Sequence, residues 1–453
     1  MSILHYTIGL PPERRGGSVQ YANDLMFEQL KQGFEVIALI CGDTLFREKK
    51  CKIIRKGNKN SIEVYQLTNP LTPTLIYGVS NPISQHRKVQ IDRNGIRKFI
   101  IKNNIKVLHM HTFMGIHKDI VSIFKEEGVK VIYTTHDFHG ICLRCNLITL
   151  GNELCSSPSL EKCICCNVRQ PSDLFLRLAN SNLYHFLKKI GIFKILNKPK
   201  VKKVKESNLY GKVFQNISES ERIQFKELME YYRNYFSLID QFHFNSNQTK
   251  KLFEKFLPGI SGETIEVITS GIADRRKELS VNSEIKFGFI GNTNSYKGFP
   301  ILKKIVLELQ RENVSNFCVK VFGSSETHID SDSSLIEYYP PYEYDELTEI
   351  LYNIDCLIVP SKWYETFSLV TLEAISHGCP VIVSDHVGAK DIVKKYNPSF
   401  IYSTPEELKL LIKRILRSPL MLREYNSKIL SEEWKYSIKR HAMQMVEFYN
   451  IEF

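Results

Sequence analysis

Apolar and polar positions along the chain fall into short blocks of two kinds. The run ILHYTIGL is followed by a stretch from about Ser18 to Gln32 with apolar residues at helical spacing, and then by FEVIALI. A strand, helix and strand in that order predict a βαβ unit. The rhythm continues through VLHMHTF and VIYTTHD, apolar runs that end in polar residues, as strands do when their carboxyl ends line a ligand crevice. A second series comprises IKFGFIG, a helix from Ile301, CVKVFG, a helix near Asp345 to Tyr352, CLIVP, a helix containing Glu373, and PVIVSD. The pattern predicts an α/β chain with two Rossmann-like, doubly wound parallel-sheet domains and a ligand cleft between them. The first domain is expected over 1–257, a linker region over 258–283, where polar stretches flank the strand-like IEVITSGI, and the second domain over 284–435. A C-terminal helix is expected over 436–453, with packing back on the first domain as one option. Residues from about 170 to 233 fit neither series; helical, basic and long, they read as an insertion.

Length and composition narrow the picture. A chain of 453 residues exceeds one compact core, in keeping with two large domains. No apolar run approaches the roughly 18 residues that cross a bilayer. MSILHYTIGLPPERR lacks the basic lead-in and long apolar core of a secretory signal, so a cytoplasmic protein is expected. The surplus of 61 Lys and Arg over 49 Asp and Glu, a net +12, favours anionic partners: nucleotide phosphates, nucleic acid or acidic lipid. Eleven cysteines in such a chain point to thiols or metal ligands rather than disulfides.

The segment PSKWYETFSLVTLEAISHGCPVIVSD carries Glu365 in a loop and Glu373 in an otherwise apolar helix that Thr366 or Ser368 can cap and Gly378 can end. A carboxylate on that face needs a partner, either a structural Lys or Arg or the hydroxyls of a ligand. Free amides from Phe367 through Ser368 and Leu369 to Val370, at the start of the helix, suit an anion such as phosphate. FGFIGNTNSYKGF ends a strand at Gly291, and Lys297 with Gly298 opens the next helix, an arrangement that can bring an ammonium to a diphosphate. Its spacing is not that of a Walker A loop.

GFIGNTNSYKG and IDCLIVPSKWYETFSLVTLEAISHGCPVIVSD together resemble the donor half of family 4 glycosyltransferases, whose mark is two glutamates separated by seven residues on the GT-B fold. ERRGGSVQYANDL is similar to the family's glycine-rich first loop, VLHMHTF and YTTHDF to its two histidine-bearing strand ends, and IDQFHFNSNQTKKLF to the segment that leads into its second domain. The resemblance implies a retaining transfer from a nucleoside-diphosphate sugar to a glycan or polyprenyl-linked acceptor in bacterial surface polysaccharide or glycolipid synthesis, with no metal required. It gives Glu373 the ribose hydroxyls, Glu365 the transferred sugar or reaction centre, and Lys297 the diphosphate. Gly16 and Gly17 would let the backbone approach the donor, and His136 would lie beside sugar and acceptor. Asn292 stands where many members have arginine. His109 and His111 alternate along a strand, so one at most is expected in the cleft; His111 is favoured, with Asp137 on the acceptor side. Retention implies either a covalent intermediate or same-face attack.

Six cysteines fall between Cys142 and Cys166. Cys142, Cys155, Cys163 and Cys166 are compatible with a structural zinc ion, with Cys145 and Cys165 as rival ligands. In the insertion, Leu183, Phe186, Leu187, Ile190 and Phe193 recur at helical spacing beside a run of lysines from Lys188 to Lys205. This predicts an amphipathic element on an anionic membrane, and hence a peripheral position at the inner face of the cell membrane; a solvated charged face is the alternative. Two other readings compete: a GT-B epimerase or phosphorylase, and a zinc-containing nucleic-acid-binding protein. The second leaves Glu365, Glu373 and Lys297 idle and has no recognisable reading motif, so nucleic acid is not expected as a partner.

Overall fold

In a computed structural model, the chain forms two units. The structure describes residues 2–45, 50–74, 89–149, 151–167, 217–280, 284–323 and 333–450, with 78, 86, 170, 171, 175, 176 and 178. The lysine-rich stretch 183–205 lies outside the described residues. Unit 1 comprises 1–244, 251–265 and 442–453; unit 2 comprises 245–250 and 266–441.

Unit 1 carries a nine-stranded sheet: β1 (Ser2–Thr7), β2 (Glu35–Cys41), β3 (Lys50–Lys59), β4 (Ile62–Thr68), β5 (Gln90–Ile91), β6 (Ile105–Met110), β7 (Lys130–Thr134), β8 (Gln241–Phe244) and β9 (Gly262–Thr264), in the order β5-β3-β4-β2-β1-β6-β7-β8-β9. All neighbours run parallel except β3 and β4, which pair as a hairpin. β1 lies between β2 and β6, the point where strand order reverses and a doubly wound sheet opens a crevice at its carboxyl edge. Helix α1 (Gly17–Lys31) covers one face, with Ala22 and Met26 packed on Val36, Ala38, Ile40, Ile62 and Val64. That packing explains the apolar runs read as strands: each side chain that meets the helix removes apolar area from water, at roughly 25 cal/mol per Å².

Unit 2 holds a parallel six-stranded sheet, β10 (Ile285–Ile290), β11 (Phe317–Phe322), β12 (Ile336–Tyr338), β13 (Cys356–Val359), β14 (Val381–Ser384) and β15 (Ile401–Tyr402), ordered β12-β11-β10-β13-β14-β15. Its order reverses between β10 and β13. The expectation of two doubly wound parallel-sheet units is met.

Three details differ from the pattern-based reading. The stretch 258–283 is not all linker, because Gly262–Thr264 adds an edge strand to β8, and a side chain at Gly262 would strike the Phe242 carbonyl. IEVITSGI forms no strand: Ile265, Val267, Ile268 and Ile272 are buried on an irregular backbone, so their spacing reports burial and not a ladder. The segment read as an insertion to 233 ends in a helix that runs from Glu219 to Phe236, starts with a Ser218/Glu221 capping box, and buries Leu228, Tyr231, Tyr232 and Tyr235. That end of it belongs to the unit 1 core. The last helix, Ile438–Tyr449, contributes Tyr449 to unit 1. Among the described residues no helix is long and apolar enough to cross a membrane.

Candidate functional site

In unit 2 the predicted residues gather at the β10/β13 switch point. β10 leads into Gly291, with φ 138°, and a loop that ends at Gly298, with φ 77°. A Cβ at Gly298 would sit 1.6 Å from the Pro360 carbonyl oxygen, so only glycine lets the two loops touch. The Asn292 side chain accepts the Asn294 amide at 2.9 Å, and Asn294 accepts those of Tyr296 and Lys297 at 3.1 and 3.0 Å. Asn292 thus shapes the loop where an arginine would bring charge.

Lys297 Nζ donates to Glu365 Oε1 at 2.8 Å; the Ser361 hydroxyl donates to the same oxygen, and Trp363 Nε1 approaches it at 3.4 Å. The Tyr296 and Trp363 rings stack at 5.7 Å, with Lys297 Nζ 5.5 Å from the Trp363 ring centre. The Glu365 backbone is held on both sides, its amide by the His386 carbonyl and its carbonyl by the Gly388 amide. Burial pushes the Glu365 carboxyl up, but the Lys297 charge and the three donors outweigh it and hold the group below the ordinary range. Neither Ser361 nor Trp363 was singled out from sequence, although both stand within four residues of Glu365.

Glu373 is buried on a helix over Leu369–Ser376 and accepts from the Tyr344 hydroxyl at 2.7 Å; that hydroxyl also meets Thr269 Oγ1 at 3.0 Å. The tyrosine comes from a separate helix start, so local sequence did not reveal it. Ser368 occupies the N-cap with φ 90° but makes no side-chain cap bond; its Oγ instead accepts from Thr371. The expected side-chain cap is therefore absent, because a left-handed residue turns the hydroxyl away from the following amides. The amides of Phe367, Ser368, Leu369 and Val370 form the amino-terminal edge of this helix, where backbone donors have no intrahelical acceptor. The Phe367 carbonyl takes the Ala389 amide, and the Thr366 carbonyl takes the hydroxyls of Ser246 and Thr249.

In unit 1 Gly16 caps α1 with φ 139°, a conformation costly for any side chain, and Gly17 begins the helix. A cavity of about 670 Å³, lined by Gly9, Glu13, Arg14, Asp43, Lys56 and Lys59, opens beside this loop. On β1 and β6, His5 and His109 are register partners, and the His109 and His111 rings lie 4.3 Å apart. Residues two apart on a strand share a face, so the two rings do not alternate, and both are buried. His111 Nδ1 meets His136 Nε2 at 3.3 Å. Asp137 accepts the His139 amide, and burial raises its carboxyl to about 6.

The cysteines are free thiols. Cys145 Sγ meets His139 Nδ1 at 3.0 Å and so is engaged elsewhere. Cys166 lies close enough to Cys142, Cys155 and Cys163 to act on their ionisation; burial raises these three thiols, and amides of Arg144, Leu147 and Asn146 oppose this at Cys142. Such amides favour a thiolate, which is the form a metal takes. Among the described residues, however, only His5, His109 and His111 bring three metal-type donors within 4.8 Å of one another. Both nitrogens of His109 are already engaged, by Tyr449 and Thr134, which disfavours that group as a metal centre.

Residues 272–432 match the family model described as "Glycosyl transferases group 1". Among curated proteins, the chain is 25% identical over 148 residues to an "Uncharacterized 41.2 kDa protein in cps region" of Klebsiella pneumoniae, covering 30% of this chain and 40% of that one. It is 33% identical over 111 residues to "Uncharacterized glycosyltransferase MJ1607" of Methanocaldococcus jannaschii, covering 24% and 28%. The matches thus span well under half of either relative. Among solved structures, it resembles Anabaena Alr3699/HepE in complex with UDP and glucose, with TM-score 0.55, 11% identity and 98% of both chains covered. It also resembles WaaG, a glycosyltransferase involved in lipopolysaccharide biosynthesis, with TM-score 0.55, 10% identity and 98% and 99% covered. Likeness at this identity is one of fold. The chain therefore has the GT-B fold, and its residues 272–432 match the group 1 glycosyl transferases.

Proposed function

We propose that the protein is a retaining, family 4 glycosyltransferase that uses a nucleoside-diphosphate sugar. The observation that carries this reading is the pairing of half-exposed Lys297 with buried Glu365 at the β10/β13 switch point, beside the amino-terminal end of the Leu369–Ser376 helix. As the bond from sugar C1 to the diphosphate breaks, negative charge gathers on the leaving group. Lys297 and the helix-terminal amides meet that charge without rearranging solvent. Glu365 keeps the lysine oriented before the donor arrives and faces the transferred sugar. Glu373, with Tyr344 on one oxygen, accepts from the ribose hydroxyls. In unit 1, Gly16 and Gly17 allow the backbone to approach the donor. His136, with His111 behind it and Asp137 next in sequence, takes the sugar and acceptor side, and the charged cavity next to the first loop has room for saccharide units.

The acceptor is proposed to be a glycan or polyprenyl-linked saccharide of a bacterial surface polysaccharide. The WaaG likeness and the relative from a cps region support that reading. The lysine-rich stretch between Lys188 and Lys205 would then hold the enzyme at an anionic inner membrane face. Catalysis needs no metal on this reading; a zinc ion on Cys142, Cys155, Cys163 and Cys166 would serve structure alone, since four thiolates leave no open position.

The test is a panel of nucleotide sugars screened by melting temperature and then by transfer. One nucleotide class should raise the melting temperature, by about 2.7 kcal/mol of stabilisation at a hundred times its Kd. Glu373→Gln should lose roughly tenfold or more in donor affinity while melting normally without ligand. If no nucleotide or nucleotide sugar shifts the wild-type protein at millimolar concentration, the assignment is wrong.

A further inference from the structure

Behind His136 a single file of hydrogen bonds crosses unit 1. From one end it reads Ile265 carbonyl, His243 (Nε2, 2.8 Å), Thr134 (from His243 Nδ1, 2.8 Å), His109 (Nε2, 2.6 Å) and Tyr449 (from His109 Nδ1, 2.8 Å). It continues through Gln29 (Nε2 to Tyr449, 3.0 Å), His5 (Nε2 to Gln29 Oε1, 2.8 Å), His111 (Nε2 to His5 Nδ1, 3.1 Å) and His136 (Nε2 to His111 Nδ1, 3.3 Å). Burial keeps every ring neutral: it lowers His5 and His243 to about 4 and His136 to about 3, and holds His109 and His111 well below their ordinary value.

A neutral imidazole has one N–H and one bare nitrogen, a hydroxyl has one proton to give, and a carbonyl can only accept. The Ile265 carbonyl therefore requires a proton on His243 Nε2, which leaves Nδ1 bare and makes Thr134 its donor. Thr134 must then accept from His109 Nε2, so His109 Nδ1 accepts from Tyr449, and the Tyr449 oxygen accepts from Gln29. Only one end of the Gln29 amide satisfies that contact, and it is the end that the structure places there. The carbonyl end faces His5 and requires a proton on His5 Nε2. The same step repeats at His111 and His136.

We propose that this file sets the tautomer of His136, with the proton on Nε2 and Nδ1 bare, and that Thr134, Tyr449 and Gln29 are positioning residues for it. His136 Nδ1 can then accept a hydrogen bond from a sugar or acceptor hydroxyl and cannot donate one. The tautomer stands on the geometry of the file together with the neutrality of its buried rings; its effect on turnover rests on the role given to His136 under the proposed function.

The experiment uses the full chain labelled with ¹⁵N-histidine. Long-range proton–nitrogen correlations at pH 7.5 would be recorded, with the His136 signals identified by their loss in His136→Ala. Wild type should show His136 as the Nε2–H tautomer alone. Tyr449→Phe and Thr134→Val interrupt the file, so both should populate the other tautomer and lower kcat roughly tenfold with the donor KM unchanged, whereas Thr134→Ser should restore the wild-type pattern. An Nδ1–H tautomer in wild type, or an unchanged tautomer in both interrupting variants, overturns the proposal. A changed tautomer with unchanged turnover supports the file and overturns instead the part given to His136 in transfer.

Discussion

Glu365 is a charged residue that the fold buries, and its stability rests on what surrounds it. Lys297, Ser361 and Trp363 all donate to one oxygen, so the carboxylate form is favoured despite the loss of water. Because the folded group lies below its unfolded value, it adds stability above the unfolded pKa, and that stability is lost as pH falls through the folded one. Wild-type protein should therefore lose melting temperature on acidification below about pH 4.3, and Glu365→Gln should flatten that part of the curve. At pH 7 the variant should be less stable by roughly 1 kcal/mol, since the half-exposed Lys297 loses its charge partner but keeps access to water. Equal acid profiles for the two proteins would refute this account of Glu365. At this scale the sequence showed the acids and the lysine but not which acid takes the lysine; only the loop contact through Gly298 selects Glu365.

At the scale of elements, the cysteine-rich loop after β7 is held by a turn around Cys142 and by the short helix Leu160–Asn167 that presents Cys163 and Cys166. A bound cation would reverse the upward pull of burial on Cys142, Cys155 and Cys163 and turn proximity into bonds. Protein purified without chelator or oxidant is expected to carry about one zinc per chain. Cys163→Ser or Cys166→Ser should release it and raise protease cutting of the loop, whereas Cys165→Ser should keep the metal. Wild-type protein with no zinc by elemental analysis would end this proposal. Helix α1 and the strands around it were legible because period 3.6 and period 2 are properties of one element. The β3–β4 hairpin was not read: β3 is largely exposed and polar, so burial leaves little pattern on it. Its turn at Asn60 and Ser61, both with positive φ, was the available signal.

For the whole molecule, a net charge of +12 favours anionic partners, and the lysines from Lys188 to Lys205 concentrate it. Each lysine near an acidic bilayer contributes roughly 1 kcal/mol. The protein should sediment with anionic vesicles at low salt and much less at high salt, and Lys198, Lys200, Lys202, Lys203 and Lys205 all changed to Gln should remove most of the salt-sensitive part. Absence of wild-type sedimentation with such vesicles at low salt would exclude the membrane role.

The order of apolar runs by itself determined two parallel sheets, and the spacing of Glu365, Glu373, Lys297 and Gly298 determined which loops would hold charge, because strand burial and helix starts leave local marks. What only the tertiary structure decided is which distant groups share a proton or a charge. His5, Gln29, Thr134, His243 and Tyr449 are scattered along the chain, and no local pattern joins them to His136. They meet because β1 and β6 are sheet neighbours across a change of strand order, β7 and β8 follow, and the last helix returns a tyrosine to unit 1. Hydrogen-bond direction is set by the donors and acceptors that packing brings within about 3 Å, and that proximity is a property of the sheet, not of any segment.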